Sequence, residues 1–170
     1  MPRADTLHAL AYENWLSVHR DPPVLLGDDD GQRIFAQANP ELSKQQRNLD
    51  WKALNLAREK RSIPEELSQA AQNYFQYKDR WNLVDYTDLL DCWLEQIQDE
   101  SFSHPYTHVL VDEVQDLSPL QLQLITAMVP ENGQGAFAIG DPKQSIYGFR
   151  GAVTHIQGEL EKHWEDLKLV

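Results

Sequence analysis

Cysteine is almost absent from this chain of 170 residues, and so are long apolar runs. The one cysteine, Cys92, excludes an internal disulfide and is typical of a protein from a reducing compartment. No apolar run approaches the roughly 20 residues that a membrane span requires, and the N-terminus lacks the apolar core of a signal peptide. The sequence therefore predicts a cytoplasmic protein without a membrane segment.

Positive charge is also scarce: 15 lysine and arginine residues stand against 27 acidic residues, for a formal net charge of −12. This balance excludes a nucleic-acid footprint over the whole surface, because such a footprint needs clustered basic residues. Any contact with DNA is therefore expected to involve a few residues. The length and the hydrophobic content of 41% indicate a globular protein with one core and at most a smaller attached lobe.

The most informative pattern lies in residues 108–151. Two short apolar runs, at residues 108–111 and 136–139, have the length and β-branched content of buried strands. Between them, Ser118 and Pro119 form the pattern of an N-cap serine followed by proline in the first helical position, which predicts a helix to about Val129. Strand, helix and strand in this order predict a parallel βαβ unit and hence an α/β fold.

Polar residues follow both predicted strands. Asp112 and Glu113 come after the first strand, and Asp141 and Gln144 come after the second. Ligands of parallel sheets bind outside the carboxyl ends of the strands, and neighbouring strands are only about 5 Å apart. We therefore expect these four side chains to converge on one binding site.

Two ordered motifs in the same stretch resemble those of a known family. Residues 111–116 read VDEVQD, and residues 140–152 read GDPKQSIYGFRGA. These strings are similar to motifs II and III of the UvrD/Rep family of superfamily one DNA helicases, in the expected order and spacing. The resemblance implies a partial RecA-like fold of the P-loop NTPase type, with a parallel sheet, flanking helices and an all-helical insert subdomain.

The resemblance also implies roles in ATP hydrolysis. Asp112 would hold Mg²⁺ on the phosphates of ATP, and Glu113 would polarise the attacking water. Gln144 matches the family's γ-phosphate-sensing glutamine, because an amide can donate to phosphate and accept from water. The residues expected to couple the two motifs are Gln115, Asp116 and Asp141.

Contacts with single-stranded DNA are implied after motif III. Tyr147 and Phe149 would stack on unpaired bases, which tolerates any sequence. Arg150 would reach a phosphate or a second motor domain. Because Gln144 lies only three residues before Tyr147, departure of the γ-phosphate is expected to shift the DNA-contacting loop.

The N-terminal segment resembles a third motif. Residues 6–11 read TLHALA, similar to motif Ib, in which a threonine and a histidine approach the DNA backbone; Thr6 and His8 occupy those positions. The alternative is an N-cap threonine and a surface histidine on a helix that starts near Thr6. The resemblance divides the chain into residues 1–15, part of the first RecA-like domain, residues 16–82, the helical insert, and residues 83–170, the remainder of that domain.

Helical periodicity predicts a helix over residues 41–61 with Leu49, Ala53 and Leu56 on one apolar stripe. Ser62 and Glu65 have the spacing of a capping box, which predicts that a second helix starts there. The aromatic residues of that helix, Tyr74, Phe75 and Tyr77, are expected to belong to the core rather than to a base-stacking platform. One side of the helix carries Leu67, Ala70, Ala71, Tyr74, Phe75 and Lys78.

Two groups of carboxylates suggest metal sites at first sight. Residues 28–30 are three aspartates, but they lack the alternation of a calcium loop and are interpreted as an acidic turn next to a helix. Asp85, Asp88 and Asp91 lie in a helix predicted over residues 83–98 without a histidine at ligand spacing. A solvated face is therefore predicted for them.

The chain contains no GxxxxGK[ST] phosphate loop. The resemblance thus implies that the chain is a fragment of a helicase whose phosphate-loop segment and second RecA-like domain lie elsewhere. The chain alone is therefore expected to hydrolyse no ATP. The expected cofactors of the complete protein are ATP and Mg²⁺, and its expected partners are single-stranded and duplex DNA. The family implies that the duplex is unwound with 3′-to-5′ polarity. An exposed edge of the incomplete sheet could pair with another copy.

Two alternatives to a simple helicase stay open. One is a helicase–nuclease of the RecB/AddA-like group, which a nuclease domain downstream would identify. The other is a non-catalytic DNA-binding or interaction module that retained motifs II and III. Weak single-strand binding that depends on Tyr147, without nucleotide binding, would favour this second alternative.

Overall fold

The computed structural model describes residues 4–19, 21–99, 106–129 and 135–140. Asp141, Gln144, Tyr147, Phe149 and Arg150 lie outside these ranges, so the predictions for them stay predictions. The chain divides into two compact units, Met1–Trp93 and Leu94–Val170. The elements in chain order are α1 (Leu7–Val18), β1 (Val24–Leu26), α2 (Asp28–Ala38), α3 (Lys44–Glu59), α4 (Glu65–Trp81), β2 (Leu83–Asp85), α5 (Tyr86–Ile97), β3 (Val109–Val111), α6 (Pro119–Met128) and β4 (Ala136–Ala138).

The first unit is built on an aromatic core. Phe35 of α2, Trp51 of α3 and Tyr74 of α4 pack with ring centroids 5.4 to 6.0 Å apart. Phe75 lies partly buried against the same cluster. Aromatic rings bury large apolar areas and favour such tilted and edge-to-face contacts, and they join α2, α3 and α4. The prediction that the α4 aromatics belong to the core is confirmed for Tyr74 and Phe75.

Strands β1 and β2 form a parallel pair, with Val24 opposite Leu83 and Leu26 opposite Asp85. Neither strand was predicted. The segment 16–82 therefore contains a strand and is not entirely helical, and the helix predicted from residue 83 begins only at Tyr86. Runs of three residues are too short to show a strand period, and their extended conformation depends on a partner distant in sequence.

Two other local predictions in this unit are wrong. Leu49 of α3 is exposed, and the buried stripe consists of Trp51, Leu54, Ala57 and Arg58 instead. Ser62 does not cap α4, whose N-cap is Pro64. The N–H of Ser62 donates to the carbonyl of Ala57, while Arg61 adopts a φ of 52°. Ser62 is thus part of a Schellman motif at the C-terminus of α3 and lies before α4 begins.

The second unit contains the predicted βαβ arrangement. Strands β3 and β4 are parallel, with Leu110 opposite Phe137, and α6 connects them in sequence. The Ser118 hydroxyl accepts from the backbone of Gln121, and the Gln121 side chain accepts from the backbone of Ser118. This reciprocal capping box, with Pro119 in the first turn, confirms the predicted helix start.

The mixture of helices with short parallel strands confirms the α/β class at this level. Among the described residues, no helix combines the length and apolarity needed to cross a bilayer.

Candidate functional site

Two exposed carboxylates lie directly at the carboxyl end of β3. Asp112 and Glu113 follow the last strand residue, and Val114–Asp116 then form a single turn of 3₁₀ helix. The Asp112 side chain accepts from the backbone N–H of Glu113 at 2.9 Å, which closes the turn locally. The structure therefore places both carboxylates at the strand end, as the sequence predicted.

Glu113 has an unusual backbone conformation, with φ 54° and ψ 42° in the left-handed region. A residue with a Cβ rarely adopts this conformation, which costs about 1 to 3 kcal/mol and is found preferentially at functional sites. The buried Gln115 side chain donates from Nε2 to Oε2 of Glu113 at 2.5 Å. The Glu113 carboxylate thus has a hydrogen-bond partner within the turn, although it is exposed.

The end of β4 lies beside this turn. The N–H of Ile139 donates to the carbonyl of Val111 at 2.8 Å, and the N–H of Val114 donates to the carbonyl of Ile139 at 3.0 Å. Gly140 follows, and a Cβ there would lie 2.6 Å from Cγ2 of Val114 and closer still to Oε1 of Gln115. The two strand ends are therefore adjacent, but the expected convergence with Asp141 and Gln144 involves residues outside the described ranges.

The donor set can be compared with what Mg²⁺ requires. Among the described residues, no three His, Cys, Asp or Glu side chains come together as a metal site. Mg²⁺ at a nucleotide site usually keeps several waters and takes only one or two protein carboxylates besides substrate phosphates. The exposed Asp112 beside Glu113 fits that requirement. In the described part of the same turn, Oδ1 of Asp116 is buried and has no hydrogen-bond partner.

Thr6 and His8 lie at the start of α1. Thr6 is the N-cap, and its hydroxyl accepts from the N–H of Ala9 at 3.2 Å. His8 is half-buried and packs edge-on against Tyr86, with ring centroids 5.4 Å apart. Burial lowers the pKa of His8, although the nearby Glu59 carboxylate opposes this effect. The alternative of an N-cap threonine is thus correct, that of a surface histidine is wrong, and a DNA contact by either residue stays a prediction.

A buried ion network in the first unit is not apparent from the sequence. Asp85 accepts two hydrogen bonds from Arg58, at 2.7 and 3.0 Å, one from Lys78 at 2.7 Å and one from Tyr74 at 2.9 Å. Asp88 binds the same two cations, at 2.8 and 2.5 Å. The prediction of a solvated face is therefore wrong for Asp85 and Asp88. Lys78 was predicted on the buried side of its helix, and a buried lysine needs a charged partner.

The two aspartates of the network also cap α5. The N–H of Asp88 donates to Asp85, and the N–H of Asp85 donates to Asp88. Burial favours protonation of Asp85, but the charges and hydrogen bonds of Arg58 and Lys78 outweigh it and hold the pKa of Asp85 below its ordinary value. Burial and the adjacent Asp85 carboxylate raise the pKa of Asp88. The network joins α3, α4, β2 and the start of α5 in one unit.

Comparison with known proteins bears on both the turn and the helical segment. Residues 18–165 match the family model described as UvrD/REP helicase N-terminal domain. The chain is 30% identical over 151 residues to a protein of Lactobacillus johnsonii that is named as a subunit of an ATP-dependent helicase/nuclease. The match covers 82% of this chain and 12% of that protein.

Two helicases match shorter stretches. DNA helicase IV of Escherichia coli is 40% identical over 72 residues, or 42% of this chain and 10% of that protein. The probable DNA helicase II homolog of Mycoplasma genitalium is 44% identical over 69 residues, or 41% of this chain and 8% of that protein. The chain thus spans only about a tenth of the length of these relatives.

Proposed function

Because the chain belongs to the UvrD/REP helicase family, we propose that it is part of an ATP-dependent DNA helicase. In this proposal the complete protein couples ATP hydrolysis to movement along single-stranded DNA and to the unwinding of duplex DNA. The polarity proposed from the family is 3′-to-5′. The relatives named as helicases and as parts of helicase/nucleases support this assignment.

The observation that carries the proposal is the pair of exposed carboxylates, Asp112 and Glu113, at the carboxyl end of β3 with the end of β4 beside them. This edge of a parallel sheet is where nucleotides bind in α/β proteins. We assign Asp112 to hold Mg²⁺ and Glu113 to orient and polarise the attacking water. When bound, Mg²⁺ would neutralise charge on the β- and γ-phosphates during transfer.

The remaining roles rest on sequence. Gln144 is proposed to sense the γ-phosphate. Tyr147 and Phe149 are proposed to stack on unpaired bases, and Arg150 to contact a phosphate. The net charge of −12 agrees with contacts made by a few residues. Gln115, Asp116 and Asp141 are proposed to couple the two motifs, and Thr6 and His8 to approach the DNA backbone.

Substitution of Glu113 by glutamine in the full-length protein tests the assignment. This change keeps the size of the side chain and removes its ability to take a proton, so DNA-stimulated ATP hydrolysis should fall by about 10² to 10⁴-fold. ATP binding, measured by titration calorimetry, should persist. Glu95→Gln makes the same change at an exposed position of α5 and should leave turnover unchanged. Wild-type turnover in Glu113→Gln would disprove the assignment.

A helicase–nuclease is the second candidate. The helicase/nuclease proteins of Lactobacillus johnsonii and Carboxydothermus hydrogenoformans each match 82% of the chain, whereas the two helicases above match 42% and 41%. Degradation of linear duplex DNA by the full-length protein, in step with unwinding, would favour this candidate. Unwinding of 3′-tailed but not 5′-tailed duplexes would test the polarity.

Self-association through the sheet also stays a proposal. Among the described residues β3 and β4 pair only with each other. Leu110, Phe137 and Ile139 are more than half exposed. An open sheet with apolar residues at its surface can pair with another copy, and sedimentation of the isolated chain at several concentrations would detect a dimer.

A further inference from the structure

We infer that Gln115 is a positioning residue for Glu113, and that Gly140 provides the space Gln115 needs for that role. This inference rests on the proposed function, in which Glu113 orients the attacking water. It adds a link between Gly140 at the end of β4 and the Glu113 carboxylate, and this link involves described residues only.

The first step is the contact between the two side chains. Glu113 is exposed, and an exposed glutamate samples several rotamers. Gln115 is 3% exposed, so its own side chain is held by its surroundings, and it donates to one Glu113 oxygen at 2.5 Å. A hydrogen bond to an ionised acceptor is stronger than a neutral one. Gln115 therefore restricts the carboxylate to one orientation, as a group that must align a water requires.

The second step is the close approach of β4. A Cβ at Gly140 would lie 2.6 Å from Cγ2 of Val114, 3.2 Å from the Val114 nitrogen and closer still to Oε1 of Gln115. Real Cβ atoms essentially never come within 3.0 Å of another heavy atom. The backbone before Gly140 cannot easily withdraw, because Ile139 is hydrogen-bonded on both sides, to Val111 and Val114. Any side chain at position 140 must therefore displace the Gln115 amide and press on the side chain of Val114.

The first test removes the hydrogen bond without changing the volume. Gln115→Met in the full-length protein should lower kcat for DNA-stimulated ATP hydrolysis by about 10- to 100-fold, because a misplaced catalytic group loses that much, while KM for ATP changes little. Gln123→Met is the matched control, since Gln123 is exposed on α6, and it should behave as wild type. A kcat for Gln115→Met equal to that of the control would overturn the inference.

The second test is a double-mutant cycle that does not depend on how well Gln115→Met folds. Gly140→Ala should lower kcat by about tenfold or more in the wild-type protein. If it acts through Gln115, it should lower kcat much less when Gln115→Ala has already removed the side chain it displaces. Fold-losses that simply multiply would show that Gly140 acts through Val114 alone and would overturn the role of Gly140.

The two proposals fail in different ways. If Glu113→Gln keeps wild-type turnover, the proposed role of Glu113 is wrong, whatever the Gln115 variants show. If Glu113→Gln abolishes turnover while Gln115→Met matches Gln123→Met, only the positioning role is wrong. If Gln115→Met lowers kcat alone, the result supports positioning. If Gln115→Met also weakens ATP binding and lowers the melting temperature, Gln115 has a structural role and the inference is overturned.

Discussion

Replacement of Asp85 by asparagine should lower the free energy of unfolding by about 3 to 5 kcal/mol, because it removes one partner of a buried ion network. Asp85 and the two cations that it binds, Arg58 and Lys78, have side chains only 12%, 4% and 3% exposed. Asparagine keeps the shape of the side chain. The substitution therefore tests charge and hydrogen bonding rather than packing.

The magnitude follows from the contacts of each Asp85 oxygen. Oδ2 accepts from Arg58, Lys78 and Tyr74, and Oδ1 accepts from Arg58 and the N–H of Asp88. Whichever oxygen becomes an NH₂ group, at least two donors lose their acceptor. Loss of a hydrogen bond to a charged group costs about 1.5 to 3 kcal/mol. Because Asp88 still binds both cations, the total loss in the free energy of unfolding should lie towards the lower end of the sum of these hydrogen-bond costs.

Urea unfolding followed by tryptophan fluorescence measures the effect, since Trp51 packs against Tyr74 next to the network. The melting temperature should fall by about 6 to 20 °C for a chain of this size. Asp30→Asn is the control, because its ion pair with Arg33 joins side chains that are 46% and 75% exposed, and such pairs contribute at most about 1 kcal/mol. Equal losses in Asp85→Asn and Asp30→Asn would refute the reasoning.

Two further predictions concern the first unit. Gly31→Ala should destabilise the protein by about 1 to 2 kcal/mol, because its Cβ would lie 2.8 Å from the Trp51 ring and this overpacking outweighs the better helix propensity of alanine. Gly27→Ala is the control and should cost less, since a Cβ there would meet nothing within 4 Å. A larger loss in Gly27→Ala than in Gly31→Ala, measured by urea unfolding, would contradict this. Since the pKa of His8 is lowered in the folded state, the unfolded state binds more protons, so this residue makes stability fall as the pH drops through about 6.5. His8→Gln should reduce the difference in urea midpoint between pH 7.5 and pH 5.5, and an unchanged difference would count against the burial of His8.

The local signals of the chain were reliable where neighbours in sequence supplied the contacts. Ser118 and Pro119 predicted the start of α6, and the capping box with Gln121 completes the same short segment. The prediction that Ser62 caps α4 rested on the same kind of local pattern and is wrong, because Ser62 already belongs to the C-terminal turn of α3. A capping pattern is therefore informative only when no preceding helix takes up its first residue.

The order and spacing of apolar and polar residues in 108–151 determined by themselves that a helix joins two parallel strands and that Asp112 and Glu113 lie at the carboxyl end of the first. Only the tertiary structure decided which aspartates are exposed and which are buried, since a DxxD pattern is the same on a solvated face and in the network of Arg58 and Lys78. It also decided the left-handed conformation of Glu113 and the hydrogen bond from Gln115. The physical reason is that burial and charge pairing depend on residues 7 to 30 positions away in the chain, which local periodicity cannot register.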